Sequence, residues 1–115
     1  MPRRKEPDPL LLRLGRRIRA LRIERKLSLE QMIWGADLSG KGHLSDAENG
    51  RSLPTLITLS KLARALGAEL IDILNFPELG PRHRLLELTR YLNQEAITLL
   101  IQQADQLLRQ ANARQ

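Results

Sequence analysis

The side chains best suited to chemistry lie in one central segment of this 115-residue chain, residues 38–50. Ser39, which can cap a helix, is followed by a short amphipathic stretch that carries Lys41, His43 and Asp46. The segment closes with Glu-Asn-Gly, and Gly50 supplies a left-handed stop. We therefore predict a short helix over about 41–49 with a polar outer face.

A second short helix precedes this polar one. Ser28 and Gln31 form a capping-box pattern that opens a helix over about 28–35. Two short helices separated by a tight turn cannot bury much apolar surface between themselves, so they need flanking helices. This arrangement is typical of a helix-turn-helix, in which the second helix is presented to a DNA groove.

Catalytic and metal-binding patterns are not found in the sequence. His43 and His83 lie far apart and in no Ser/His/Asp or metal-ligand spacing. Gly40-Lys41-Gly42 is too short for a phosphate-binding loop. The chain has no cysteine, which excludes disulfides, thiolate metal sites and cysteine nucleophiles. We expect a protein that is not an enzyme and that uses no metal and no cofactor.

The charge is concentrated at one end of the chain. Residues 1–26 hold ten Lys and Arg against three acidic residues, within a net charge of +6 for the whole sequence. Such a segment favours a polyanionic partner, although a solvated arginine-rich helix face explains the composition equally well. No apolar run approaches the ~20 residues of a membrane span, and no signal peptide pattern is present. We expect a soluble cytoplasmic protein, associated with the nucleoid, that does not contact membranes.

Caps and apolar spacing divide the chain into helices. Asp8 and Pro9 begin a helix that should run to about Lys26. Thr55 caps a fourth helix that Gly67 ends, and a short fifth helix follows. Only three residues are aromatic, so the core must be aliphatic, which suits packed helices.

The C-terminal part of the chain begins after the best boundary, residues 75–81, which contain two prolines and a glycine. Residues 82–112 are again helical, either as two helices with Asn93 capping the second or as one long helix. Apolar residues recur there at three-four spacing, at Ile97, Leu100, Ala104 and Leu107. A unit of about 30 residues is too small to be stable alone. This stripe therefore either folds back on the domain or pairs with a second chain, and we favour a homodimer.

We predict an all-α fold with three parts. A basic flexible arm occupies residues 1–8, and a five-helix helix-turn-helix domain occupies residues 9–76. A C-terminal helical dimerisation segment, with two helices favoured over one, occupies residues 82–112.

Four blocks of the sequence resemble, in order and spacing, the Cro/phage-repressor (XRE-type) helix-turn-helix family. They are residues 14–22, 27–32, 44–51 and 54–67. The resemblance implies a domain that binds double-stranded DNA, usually as a dimer and usually to regulate transcription. We therefore expect a sequence-specific transcriptional regulator of bacterial or phage type, a repressor or autorepressor.

The resemblance also implies roles for individual residues. Arg22 pairs with Glu48 and orients the recognition helix, which is a structural role. Contacts with base edges are expected from Lys41, Gly42, His43, Ser45 and Asp46, with His43 directed at either DNA or solvent. Contacts with the DNA backbone are expected from Arg16, Arg17, Asn49 and Arg51.

Some features depart from the family's pattern and keep an alternative open. Leu29 stands where a phosphate-contacting glutamine is common, Ile33 replaces a small alanine, and Trp34 is large for a surface site. The turn before the recognition helix is one residue longer than usual. The alternative is a helix-turn-helix-derived protein-interaction or assembly module with weak or no base-specific DNA binding. A protein partner that binds the C-terminal helices is compatible with both the DNA-binding hypothesis and this alternative.

Overall fold

The structure, a computed structural model, describes residue 6 and residues 8–36 and 41–114, without the side chains of residues 41 and 42. Its helices are α1 Pro9–Glu24, α2 Leu29–Gly35, α3 Lys41–Glu48, α4 Leu56–Ala65, α5 Leu70–Ile73, α6 Pro81–Thr89 and α7 Gln94–Ala113, with a 3-10 turn at Pro77–Leu79. The described residues contain no strand, so the predicted all-α class is confirmed. The C-terminal segment forms two helices, as favoured. Most of the predicted basic arm and the predicted Ser39 cap lie outside the described residues.

Side-chain caps fix the starts of these helices. The Asp8 carboxylate accepts a hydrogen bond from the backbone amide two residues on, at 2.8 Å. Ser28 and Gln31 form the predicted capping box, with bonds of 2.8 and 3.1 Å. The Asn93 side chain accepts from the Ala96 amide at 2.9 Å. Because the first amides of a helix have no partner within it, these caps determine where each helix begins.

The turn between α1 and α2 begins two residues before the predicted end of the first helix. α1 ends at Glu24, and Lys26 has a φ of 57°, in the left-handed region. The Lys26 amide donates to the Ile23 carbonyl at 2.9 Å, and the Leu27 amide donates to the Arg22 carbonyl at 3.1 Å. These two bonds form a Schellman-type end that reverses the chain.

The core of α1–α5 is aliphatic, as the composition predicted. Its buried members are Leu11, Leu14, Ile18, Leu21, Met32, Ala36, Leu44, Leu59, Leu62, Ala63, Leu66, Ile73 and Phe76. Ile18, Met32 and Ile73 have no exposed surface. Each fully buried side chain of this size contributes roughly 1.5–3 kcal/mol. Ile33 packs against the edge of this core, so the larger residue is accommodated at the α2 position.

α1 and α3 are in close contact at Gly15. A Cβ at this position would lie 2.4 Å from the carbonyl oxygen of Glu48 and 2.5 Å from that of Ala47. No Cβ atom tolerates those distances. Glycine therefore allows the last turn of α3 to lie directly against α1.

The same contact carries an ion pair between Arg22 and Glu48. The Arg22 Nε and Nη2 atoms donate to the two Glu48 carboxylate oxygens at 2.7 and 3.0 Å. The Arg22 Nη1 atom donates to the carbonyl oxygen of Leu27 at 2.8 Å. The hydrogen bond to Glu48 raises the pKa of Arg22. One guanidinium thus joins α1, the turn before α2 and the end of α3.

α6 is held on the domain mainly by polar contacts. The buried Asn75 side chain donates to the His83 carbonyl oxygen at 2.8 Å, and its Oδ1 lies 3.0 Å from the His83 Nδ1. Further along the chain, Glu87 on α6 and Arg90, which caps the end of α6, form ion pairs with side chains of α1. Neither α6 nor α7 contains a buried residue. The C-terminal helices are therefore attached to a core to which they contribute little.

We expect Gly15→Ala to destabilise the domain by about 1–3 kcal/mol, because the added methyl group must displace the end of α3. Arg16→Ala, at the exposed neighbouring position, should change stability by less than about 0.5 kcal/mol. Thermal unfolding followed by circular dichroism compares the two variants with the wild-type chain. Equal midpoints for all three proteins would contradict the close contact.

We expect Arg22→Ala and Glu48→Ala to destabilise the domain non-additively, because both remove the same bonds. Their side chains are 13% and 7% exposed, so each single variant leaves a poorly solvated charge. A double-mutant cycle should give a coupling energy of about 1–3 kcal/mol. The matched control is the Arg13–Glu78 pair, which is 3.8 Å apart and largely exposed and should show little coupling. Additive losses at Arg22 and Glu48 would contradict the pair.

Candidate nucleic-acid interface

The outer face of α3 is the candidate interface. Leu44 and Ala47 are 1% and 4% exposed and face the core. On the same helix His43 is exposed, while Ser45 and Asp46 are half-buried. The burial pattern thus separates an inward apolar side from an outward polar side. Lys41 and Gly42 belong to α3, but their side chains lie outside the described part of the structure.

The end of α3 is closed by local hydrogen bonds. Gly50 has a φ of 72°, and its amide donates to the Ala47 carbonyl at 3.1 Å. The Arg51 amide donates to the Asp46 carbonyl at 2.8 Å, which completes a Schellman-type end. A Cβ at Gly50 would lie 2.9 Å from the Cα of Leu12, so the turn also rests on α1. The left-handed stop predicted at Gly50 is therefore confirmed.

Asn49 lies at the exposed edge of this turn. Its Nδ2 donates to the Ser45 carbonyl oxygen at 2.9 Å, which holds the amide group along α3. Arg51 follows on the same turn and is half-buried. Both residues directly follow α3 in the chain, and their contacts with the DNA backbone stay a prediction.

Arg17 is not available for DNA. Its side chain is 7% exposed. Its Nε donates to the Asp72 carbonyl oxygen, and Nη1 and Nη2 donate to the two Glu87 oxygens, each at 2.8 Å. The hydrogen bonds from Arg17, and less strongly from Arg90, hold the pKa of Glu87 at about 2 against the opposing effect of burial. The expected contact between Arg17 and the DNA backbone is therefore wrong, because α5 and α6 cover this side chain.

The other arginines of α1 and of the turn after it lie in different surroundings. The Arg13 guanidinium carbon lies 5.9 Å from the centre of the Phe76 ring, where a cation–π contact forms. Arg22 is paired with Glu48, and Arg25 lies beside Gly67 at the end of α4. Arg16 is exposed. Much of the positive charge counted in the sequence thus serves contacts within the protein.

Two features at α2 follow from its sequence. Leu29 packs against the core, so the position where the family often has glutamine presents no polar group here. Trp34, near the end of the same helix, is 86% exposed. An indole this exposed on a short helix contributes little to the core.

Sequence reasoning missed Glu24, Asp72 and Glu87. Glu87 bonds to Arg17 across 70 positions of sequence, and Tyr91 bonds to Glu24 across 67. No local pattern indicates such pairs, since only the packing of α6 on α1 brings them together. An alignment with many relatives would carry the signal as pairs of positions that vary together.

Other site types find no support in the described part of the chain. Among the described residues, no group of three or more His, Cys, Asp or Glu side chains is placed to hold a metal ion. Within the same residues, no helix is long and apolar enough to cross a membrane.

The sequence matches curated relatives over slightly more than half of its length. It is 43% identical over 60 residues to an immunity repressor protein of Bacillus phage phi105. The aligned residues make up 52% of this chain and 41% of the relative. It is 41% identical over 63 residues to the HTH-type transcriptional regulator DdrOP3 of Deinococcus deserti. That alignment makes up 55% of this chain and 48% of DdrOP3. The chain thus spans less than half the length of these relatives.

A solved structure and a family description agree with this match. The crystal structure of the restriction-modification controller protein C.AhdI from Aeromonas hydrophila superposes with a TM-score of 0.53 and 30% identity, covering 55% of this chain and 94% of that protein. Residues 13–73 match the family described as helix-turn-helix domain. The match runs from Arg13 within α1 to the end of α5, and it includes the Arg22–Glu48 pair and α3. The chain therefore belongs to the helix-turn-helix domain family, with the phage-repressor (XRE-type) pattern that its sequence blocks indicated.

Proposed function

We propose that the protein is a sequence-specific double-stranded DNA-binding regulator of transcription that acts as a homodimer. The observation that carries the proposal is α3, a short helix whose last turn is bonded to α1 and whose outer face is polar. The names of the matched relatives, a repressor and a transcriptional regulator, support the same role. Residues 9–76 would bind DNA, and residues 82–112 would pair the two chains. No reaction is proposed.

The proposed contacts divide by chemistry. Base edges would be read by His43, Ser45 and Asp46, together with Lys41 and Gly42 at the start of α3. A carboxylate such as Asp46 can accept from cytosine N4, and a lysine can donate to guanine O6 and N7. Phosphates would be bound by Arg16, Asn49 and Arg51, which fix the register of α3 in the groove without reading sequence.

The DNA-binding proposal predicts an affinity that falls with salt. Fluorescence anisotropy with a labelled random-sequence duplex, between about 50 and about 200 mM salt, gives the slope of log affinity against log salt concentration. Arg16→Ala should weaken binding and reduce that slope by about 0.9, the effect of one lost phosphate contact. Arg84→Ala, an exposed position on α6, is the matched control and should leave the slope unchanged. No binding at low salt, or an affinity indifferent to salt, would refute DNA binding.

The homodimer proposal rests on α7. This helix has 20 residues and none is buried. Of the four residues predicted to form the interface, Ile97 and Leu100 are half-buried, Ala104 is exposed, and Leu107 is 65% exposed. Ile101 and Leu108, one position on from two of these, are 54% and 61% exposed and widen the stripe. Helices with such stripes are stabilised when a second helix covers them.

We expect Leu107→Asp to separate the dimer, because a charge would then lie against apolar surface in the paired state. Since Leu107 is largely exposed in the single chain, the change should not unfold it. Gln106→Asp introduces the same charge beside the stripe and should leave the dimer intact. Sedimentation at several protein concentrations measures the mass of the three proteins. A monomeric wild-type chain, or a dimeric Leu107→Asp variant, would contradict pairing through this face.

A second candidate function is favoured by Trp34. A tryptophan that is 86% exposed is uncommon on a surface that binds nothing, and such residues are enriched in protein interfaces. The domain would then be an assembly module that contacts a protein through the end of α2. A folded dimer that binds no duplex at low salt would favour this function over the first.

A further inference from the structure

We propose that Glu87 and Arg90 are positioning residues that fix the orientation of α6 on the DNA-binding domain. In a dimer paired through α7, that orientation would determine the distance and rotation between the two α3 helices. The two residues would thereby restrict the spacing of the half-sites that the protein binds. This inference rests on the proposed function, since it requires two DNA-binding domains in one dimer.

The first attachment point joins Glu87 to Arg17. The Arg17 guanidinium donates to both Glu87 oxygens at 2.8 Å, and its Nε donates to the Asp72 carbonyl oxygen at the same distance. The side chains are 7% and 19% exposed, so water competes weakly for these bonds. A bidentate arginine–carboxylate pair is directional and fixes the relative angle of its partners as well as their separation.

The second attachment point joins Arg90 to Glu24. The Arg90 Nη2 donates to Glu24 at 2.6 Å, and its Nη1 donates to Glu87 at 3.0 Å. The Tyr91 hydroxyl also donates to Glu24. The hydrogen bonds from Tyr91 and then from Arg90 lower the pKa of Glu24. Side chains of alternating charge thus run from Arg17 on α1 through α6 and back to α1.

The two attachment points are well separated along α1. Arg17 and Glu24 are seven residues apart, which places them two helical turns, or about 10.5 Å, from each other. On the α6 side the corresponding residues, Glu87 and Arg90, are three positions apart, and bonds at two points restrict rotation of the helix about either one. The Asn75–His83 bonds hold the other end of α6, where the 3-10 turn joins the domain.

Apolar packing does not impose this orientation by itself. A groove of about 870 Å³ lies between α5 and α6, lined by residues that include Leu70, Ile71, Leu74, Leu85 and Leu86. α6 has no buried residue. Because apolar contacts are non-directional and incomplete here, the polar bonds to α1 determine the angle of α6.

The orientation of α6 passes to α7 through a short connection. α6 ends at Thr89 and α7 begins at Gln94, with Asn93 as its cap. Hydrogen bonds from the Tyr91 and Leu92 amides to Leu88 and Thr89 continue the turn between them. On DNA, each base pair advances by about 3.4 Å and rotates by about 35°, so a small change of angle at α6 alters which spacing fits both α3 helices.

The test is selection of binding sites from a pool of random-sequence duplexes by the full-length chain. The wild-type protein should enrich inverted half-sites at a single spacing. Arg90→Met, which removes the Arg90 bonds to Glu24 and Glu87 but leaves Glu87 bonded to Arg17, should enrich the same half-sites at several spacings. Arg84→Met, the same change at an exposed position of α6, should retain the single spacing. Glu24→Leu removes the carboxylate that accepts from both Arg90 and Tyr91, and it should reproduce the Arg90→Met result.

Affinities for the selected site make the comparison quantitative. We expect the wild-type chain to prefer its spacing about tenfold over a duplex with extra base pairs between the half-sites, and Arg90→Met to prefer it at most about threefold. Sedimentation should show that the variants remain dimers. A single spacing retained by both Arg90→Met and Glu24→Leu, or loss of the dimer in both, would overturn the positioning role. A wild-type chain that is monomeric or enriches no inverted sites would instead refute the proposed function, and the inference with it.

Discussion

The contact between α1 and the end of α3 is the constraint on which the rest of this domain depends. Gly15 removes the Cβ that would keep the two helices apart, and Arg22 then bonds to Glu48 across the contact. Because the same guanidinium reaches the Leu27 carbonyl, it also fixes the chain where α2 approaches. α3 has eight residues and would be marginal in isolation. Its position therefore comes from these bonds and from two buried side chains rather than from helix propensity.

The domain and its C-terminal extension are stabilised by different forces. Within α1–α5 an aliphatic core holds the helices together, and fully buried residues such as Ile18 and Ile73 lie at its centre. Between the domain and α6, ion pairs and the hydrogen bonds of the Asn75 side chain replace most of that packing. The hydrophobic effect is non-directional, whereas a bidentate ion pair requires a specific geometry between its partners. The contact between the domain and α6 is therefore held by more directional interactions than the core is.

Local patterns predicted the helices well because their signals are local. The Ser28–Gln31 capping box, the Asn93 cap and the stop at Gly50 each depend on residues within a few positions. The prediction from sequence failed at Arg17. Its position in a basic segment suggested an exposed cation, yet its side chain is buried and paired with Glu87. That partner is determined by how α6 packs on α1, which no spacing within either helix reveals. Charge counts indicate how many cations a segment has, and only the packing shows which of them reach solvent.

The exposure of Trp34 has a spectroscopic consequence. It is the only tryptophan in the chain, so it alone determines the indole emission of the protein. At 86% exposure its ring is already surrounded by water in the folded state, and unfolding changes that surrounding little. Its emission is thus a poor measure of folding but a selective probe of anything that covers the end of α2. A partner or a DNA backbone seated there would shift the emission to shorter wavelength, whereas association through α7 would leave the spectrum unchanged.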